Sequence, residues 1–99
     1  MTTSVFQDSI DLQSTAQTQT LIKTHLMAMY EPESLIVTDD SEAHAGHAGS
    51  VSGKGHFTVT IQKKAWQNMP LLQIHRLVYE ALGDLMNTQI HALSIQYIR

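Results

Sequence analysis

The stretch from Ile74 to Met86 constrains the fold of this chain more than any other. At the helical step of about 100° per residue, its apolar side chains fall on one broad stripe. The stripe comprises Leu71, Ile74, Leu77, Val78, Ala81, Leu82 and Leu85, and the opposite side carries Gln73, Arg76, Glu80 and Asp84. We therefore predict an amphipathic helix whose stripe packs against the rest of the chain.

His75 lies on neither side of this predicted helix. It projects about 80° from the centre of the stripe, beside Tyr79 and Met86, at the border between core and solvent. A side chain at that border can be held by its neighbours while a ring nitrogen stays accessible. The position therefore suits a ligand or a catalytic imidazole.

Composition narrows the class of protein. The 99 residues suit one domain, and 42% hydrophobic and 15% charged residues are typical of an ordinary globular chain. The absence of cysteine excludes disulfides, thiolate ligands and a cysteine nucleophile in this chain. No apolar run reaches the roughly 20 residues that span a bilayer. The first twenty residues contain Asp8 and Asp11 but no Lys or Arg, which argues against a leader peptide and favours a cytoplasmic location.

The remaining periodicities predict an α-β-β-α-α-β order. Residues 1–13 are interpreted as a weakly ordered extension and residues 14–99 as the domain, whose first helix begins at Ser14 or Thr15 and ends at Tyr30. Strands are predicted at 35–38, 56–61 and 90–98, a long loop at 39–54, and a short helical turn at 63–66 before the main helix. We expect the second and third strands to pair in parallel. The predicted core comprises Leu21, Ile22, Leu26, Phe57, Val59, Ile61, Val78, Ala81, Leu82, Leu85, Leu93 and Ile95.

Four segments together resemble the BolA family. They are D-D-S-E-A-H-A-G-H-A-G from Asp39, the G-H-F that opens the second strand, H-R-L-V-Y-E-A-L from His75, and I-H-A-L-S-I from Ile90. The resemblance covers residues 18–97. It implies a single α+β domain of the class II KH type, with a mixed three-stranded sheet and helices on one face. It also implies partnership with a monothiol glutaredoxin around a shared [2Fe–2S] cluster, in cluster trafficking or in iron or redox sensing.

The resemblance also implies histidine ligands. His75 matches the histidine of the family's H-R-L-V-Y helix, and His44 is the best match for the ligand from the loop, with His47 as the alternative. Imidazole nitrogen is a good iron ligand, and a histidine pair on one iron occurs in Rieske centres. Thiolates of glutaredoxin and glutathione would hold the other iron. His56 and His91 also match family positions and are interpreted as structural.

A DNA-binding regulator of stress response or morphology is the competing hypothesis, with Lys63, Lys64 and Arg76 as its candidate contacts. The net charge of −3 opposes it, and Ile74 stands where many family members have Arg or Lys. The G-x-x-G at Gly46–Gly49 lies between two strands, whereas the nucleic-acid clamp of a KH domain joins two helices. We therefore expect at most weak DNA binding, no membrane association, and a monomer or weak homodimer when the protein is free.

An enzyme is the third class. Asp39 and Asp40 beside His44 and His47 are residue types used in acid–base or metal-assisted hydrolysis. Neighbours in a glycine-containing loop have no fixed mutual geometry, and no phosphate loop or serine-nucleophile motif is present. The sequence therefore predicts a protein that is not an enzyme.

Overall fold

The computed structural model describes residues 15–41 and 54–99. Its helices are α1 (Thr15–Tyr30), α2 (Leu71–Leu82) and α3 (Leu85–Thr88), and its strands are β1 (Ser34–Asp39), β2 (Gly55–Gln62) and β3 (Ile90–Tyr97). One turn of 3-10 helix covers Lys64–Trp66. The predicted element order is confirmed, with α3 as an additional turn. The predicted extension at residues 1–13 lies outside the described residues, as does most of the predicted loop.

The three strands form one mixed sheet in the order β1-β2-β3. β1 and β2 are antiparallel, with Val37 opposite Val59. β2 and β3 are parallel, with Val59 opposite Ile95, as the strand–helix–strand order predicts. The helical segment between β2 and β3 therefore returns the chain from one end of the sheet to the other. The fold is α+β.

The core lies between the helices and one face of the sheet. Burial in β2 alternates strictly from Gly55 onward, because successive side chains of a strand point to opposite faces. Ile22 and Leu26 of α1 and Ile74 and Val78 of α2 are fully buried. Four further buried hydrophobic residues were absent from the predicted core: Val37, Trp66, Ile74 and Ile90.

The predicted helix from Ile74 to Met86 is shorter in the structure and begins earlier. α2 begins at Leu71 and ends at Leu82, because Gly83 adopts a φ of 51° and its amide donates to the Tyr79 carbonyl. The predicted helix, which runs on to Met86, is therefore interrupted at Gly83. Positive φ is a backbone conformation that glycine adopts without steric cost, so Gly83 ends the helix.

Several predicted apolar contacts are weaker than expected. Leu71 is 51% exposed because it is the first residue of α2, where no preceding turn covers it. Met29 of α1 is 58% exposed although it is apolar. Leu93 and Ile95 are only half-buried because β3 is an edge strand. Among the described residues, no helix is long and apolar enough to cross a membrane.

Candidate functional site

His75 occupies the border position that the sequence predicts. It lies in the second turn of α2 and is half-buried. Leu71, one turn before it, and Tyr79, one turn after it, are 51% and 41% exposed. The imidazole of His75 therefore stands beside an exposed apolar strip.

The loop that contains His44 and His47 rejoins the fold near Gln89, which follows α2 and α3 in the chain. The amide of Asp40 donates to the His56 carbonyl over 2.7 Å, and the amide of His56 donates to Ser41 Oγ over 3.1 Å. The amide of Gly55 donates to the Gln89 carbonyl over 3.1 Å. The loop thus leaves and rejoins the fold where β2 and β3 begin. His44 and His47 lie outside the described residues.

A second pair of histidines lies at this same end of the sheet. The ring centroids of His56 and His91 are 5.0 Å apart. Gly55 pairs with Ile90 and His56 with Ala92, so His91 is one extra residue in β3 at a break in the register. Such bulges re-aim a side chain and are frequent beside functional sites.

The two rings differ in accessibility. The Nε2 atom of His56 is buried, whereas His91 is exposed. The interpretation of both residues as structural therefore does not account for His91, whose ring can reach a ligand. The sequence offered one indication that the two histidines are close: each is the second residue of one of two parallel strands.

Chain connectivity distinguishes the two histidine sites. Ser41 is the last described residue before the part of the loop that contains His44 and His47, and its Oγ accepts from the amide of His56. α2 runs toward the loop end of the sheet, and His75 precedes Leu82 by seven residues, or about 10 Å along the helix axis. His91 thus lies at the end of the sheet where the loop leaves and rejoins the fold, whereas His75 lies nearer the start of α2.

Hydrogen bonds hold the loop ends in place. Asp39 accepts from the amide of Ser41 over 2.9 Å, and Thr58 donates to the carboxylate of Asp40 over 2.6 Å. Burial raises the pKa of Asp39, but hydrogen bonds from Ser41 and Thr15 outweigh it and leave the pKa below its usual value. The base of the loop is thus a rigid platform beside His56 and His91.

The candidate DNA contacts do not form one basic patch. Lys63 Nζ donates to the Tyr30 carbonyl over 2.7 Å, and the amide of Lys64 donates to the Glu33 carboxylate over 2.8 Å. That amide and the two lysine charges hold the pKa of Glu33 below its usual value. Arg76 lies exposed on α2. Lys63 thus serves a contact within the fold, and Glu33 offsets the positive charge.

The residues fit a cluster held jointly with another protein. Among the described residues, no group of three or more His, Cys, Asp or Glu side chains is placed to hold a metal ion. His91 offers an accessible nitrogen supported by His56, and the chain contains no cysteine. Imidazole nitrogen suits one iron of a [2Fe–2S] cluster, whose remaining ligands would be thiolates from elsewhere.

Known proteins are similar to this chain in sequence and in fold. A family model described as BolA-like protein matches residues 26–98. Protein BOLA1, chloroplastic, from Arabidopsis thaliana is 40% identical over 77 residues, 75% of this chain and 48% of that protein. The DNA-binding transcriptional regulator BolA of Escherichia coli K12 is 34% identical over 74 residues, 75% of this chain and 68% of that protein. The solved structure of BolA1 from Arabidopsis thaliana has a TM-score of 0.67 at 38% identity, covering 80% of this chain and 87% of that one.

The mixed sheet, the helices on one face and the matched sequence define a small α+β domain of one established kind. The chain belongs to the BolA family. It spans about half the length of the Arabidopsis relative. The names of the two curated relatives denote a BolA protein and a transcriptional regulator, and neither denotes an enzyme. One of those names is chloroplastic, so a cytoplasmic location stays a prediction.

Proposed function

We propose that this BolA-family protein partners a monothiol glutaredoxin and contributes histidine ligands to a [2Fe–2S] cluster that the two proteins share. Glutathione and the glutaredoxin would supply thiolates, which this chain lacks. The bound cluster would supply a redox-active or transferable iron–sulfur unit. Trafficking of clusters and sensing of iron or redox state both follow from such a complex.

One observation carries the proposal. The exposed ring of His91 projects from a break in the β3 register, beside His56 and at the base of a loop that contains His44 and His47. We infer that His91 and one histidine of this loop form the ligand pair for a cluster presented by another protein. His75, which the family resemblance proposes, is the competing ligand on the helix.

Four single variants assign the ligands. Wild-type protein added to cluster-loaded glutaredoxin should change the visible absorption and circular dichroism of the cluster. We expect His91→Ala to reduce that change and His75→Ala to leave most of it, while a reduction in His44→Ala or His47→Ala identifies the loop ligand. All four positions lie outside the fully buried core or outside the described residues, so far-ultraviolet circular dichroism serves as the control for folding.

The opposite result for the first two variants would return the assignment to His75. A wild-type protein that leaves the cluster spectrum unchanged, although it binds the glutaredoxin, would exclude shared ligation. The protein would then be an adaptor that contacts the glutaredoxin without touching iron.

Regulation of transcription is the second candidate function, and the name of the Escherichia coli relative favours it. Among the described residues, the ammonium of Lys63 donates to the Tyr30 carbonyl, and the Glu33 carboxylate, which accepts from the amide of Lys64, offsets the positive charge of the two lysines. We expect weak binding of duplex DNA whose affinity changes little with salt, since each phosphate neutralised adds roughly 0.9 to the slope of log K against log salt. Sequence-selective binding at physiological salt, lost in the Lys63→Ala, Lys64→Ala and Arg76→Ala variants, would reverse this ranking.

A further inference from the structure

The two edges of the sheet are protected differently. The edge of β1 is capped from α1, where Gln19 Nε2 donates to the Val37 carbonyl over 2.6 Å. This side-chain amide occupies the place that the backbone N–H of a fourth strand would take. No described residue makes the equivalent contact to the outer edge of β3.

The direction of the β3 backbone groups follows from one hydrogen bond. The amide of Ile98 donates to the Ile61 carbonyl on β2 over 2.9 Å. Because these groups alternate along a strand, the even-numbered residues of β3 face β2. The N–H and C=O groups of Leu93, Ile95 and Tyr97 therefore point away from the sheet.

The composition of β3 lacks the residues that usually block pairing with another strand. Its eight residues, I-H-A-L-S-I-Q-Y, include no proline and no Asp, Glu, Lys or Arg. Natural edge strands of this length are normally blocked by charge, by proline or by a covering segment. Leu93 and Ile95 face the helices yet are only half-buried, so apolar surface is left at this edge.

We propose that β3 pairs with the β3 strand of a second copy of this chain, antiparallel and about a two-fold axis through Ser94. In this register Leu93 lies opposite Ile95 of the second copy, and Ile95 lies opposite its Leu93. Each of these two pairs exchanges two hydrogen bonds through the outward-facing backbone groups. The apolar pairs extend both cores, and the absence of charge in β3 removes like-charge repulsion across the axis.

The same register matches polar residues on the open face of the sheet. Ser94 lies opposite Ser94 of the second copy, and Ala92 lies opposite its Gln96. The Ser94 pair is the non-hydrogen-bonded kind, in which the two Cα atoms are about 4.5 Å apart. This spacing lies within the range that a disulfide spans.

A single cysteine tests the register cleanly because the chain has none. Treatment of full-length Ser94→Cys with diamide, which accepts the two electrons and two protons of the paired thiols, should give a disulfide-linked dimer of twice 11.1 kDa. Thr60→Cys is the matched control, since Thr60 lies on the same open face but in the central strand. Cross-linking of Ser94→Cys no faster than that of Thr60→Cys overturns the proposal.

Charge substitution provides a second test, which does not depend on oxidation. Light scattering over a dilution series should show a dimer for the wild type and monomers for Ser94→Lys and Ser94→Glu, because each places two like charges on the axis. Mixing these two variants should restore the dimer. A monomeric wild type at every concentration, or no recovery in the mixture, contradicts pairing about Ser94.

Discussion

His56 and His91 lie side by side where the register between β2 and β3 breaks. Gly55 pairs with Ile90 and His56 with Ala92, and the ring centroids of the two histidines are 5.0 Å apart. The position of His75 could be predicted because helical periodicity is local, whereas this pair depends on a register between strands more than thirty residues apart in sequence.

Tyr30, the last residue of α1, contacts both α2 and the 3-10 turn. Its hydroxyl donates to the Leu77 carbonyl over 2.8 Å, and its ring meets that of Trp66 edge-on with centroids 4.9 Å apart. Burial, together with the charge of Glu80, raises the pKa of Tyr30 above its usual value. The hydroxyl therefore stays protonated to a higher pH than that of an unperturbed tyrosine.

Removal of that hydroxyl should weaken the fold. We expect Tyr30→Phe to lower the free energy of unfolding by about 1 kcal/mol, the net contribution of a hydrogen bond of this type, while the ring contact persists. Urea denaturation measures the change. Tyr79→Phe is the matched control because Tyr79 is 41% exposed, and an equal loss in both variants would argue against this role for the Tyr30 hydroxyl.

At the scale of elements, each of the two longer helices is followed by a residue with positive φ, although the two residue types differ. Gly83 ends α2 at a φ of 51°, and Glu31 ends α1 at a φ of 48°. The amide of Glu31 donates to the Met27 carbonyl over 3.1 Å. The end of α1 was predicted correctly because Pro32 excludes the helical conformation before it. The end of α2 was not, because the apolar stripe continues past Gly83 to Leu85.

The strain at Glu31 predicts an unusual gain from glycine. A left-handed conformation costs a side-chain-bearing residue about 1–2 kcal/mol, and glycine loses about 0.5–1 kcal/mol through added freedom in the unfolded chain. Glu31→Gly should therefore raise the free energy of unfolding by about 0.5–1 kcal/mol. Glu80→Gly, inside α2, should lower it by about 1 kcal/mol. Two changes of the same sign in thermal unfolding would contradict the account.

At the scale of the whole molecule, the candidate site and the lysine pair Lys63 and Lys64 lie at opposite ends of β2. The loop ends, His56 and His91 lie where β2 and β3 begin, and Lys63 and Lys64 lie beyond the end of β2. The strand–helix–strand order was enough to predict the parallel pairing that creates this arrangement. The hydrogen bond from Lys63 Nζ to the Tyr30 carbonyl could not be predicted, since it depends on where that carbonyl lies at the end of α1.

The most direct measurement of the central claim is nitrogen-sensitive pulsed EPR on the reduced complex of this protein with a cluster-loaded monothiol glutaredoxin. The method detects imidazole nitrogen coupled to iron, which binding assays do not. We predict coupling from two imidazole nitrogens in the wild-type complex, of which one is lost in His91→Ala and both are retained in His75→Ala. Absence of nitrogen coupling in the wild-type complex would contradict histidine ligation of a shared cluster by this chain.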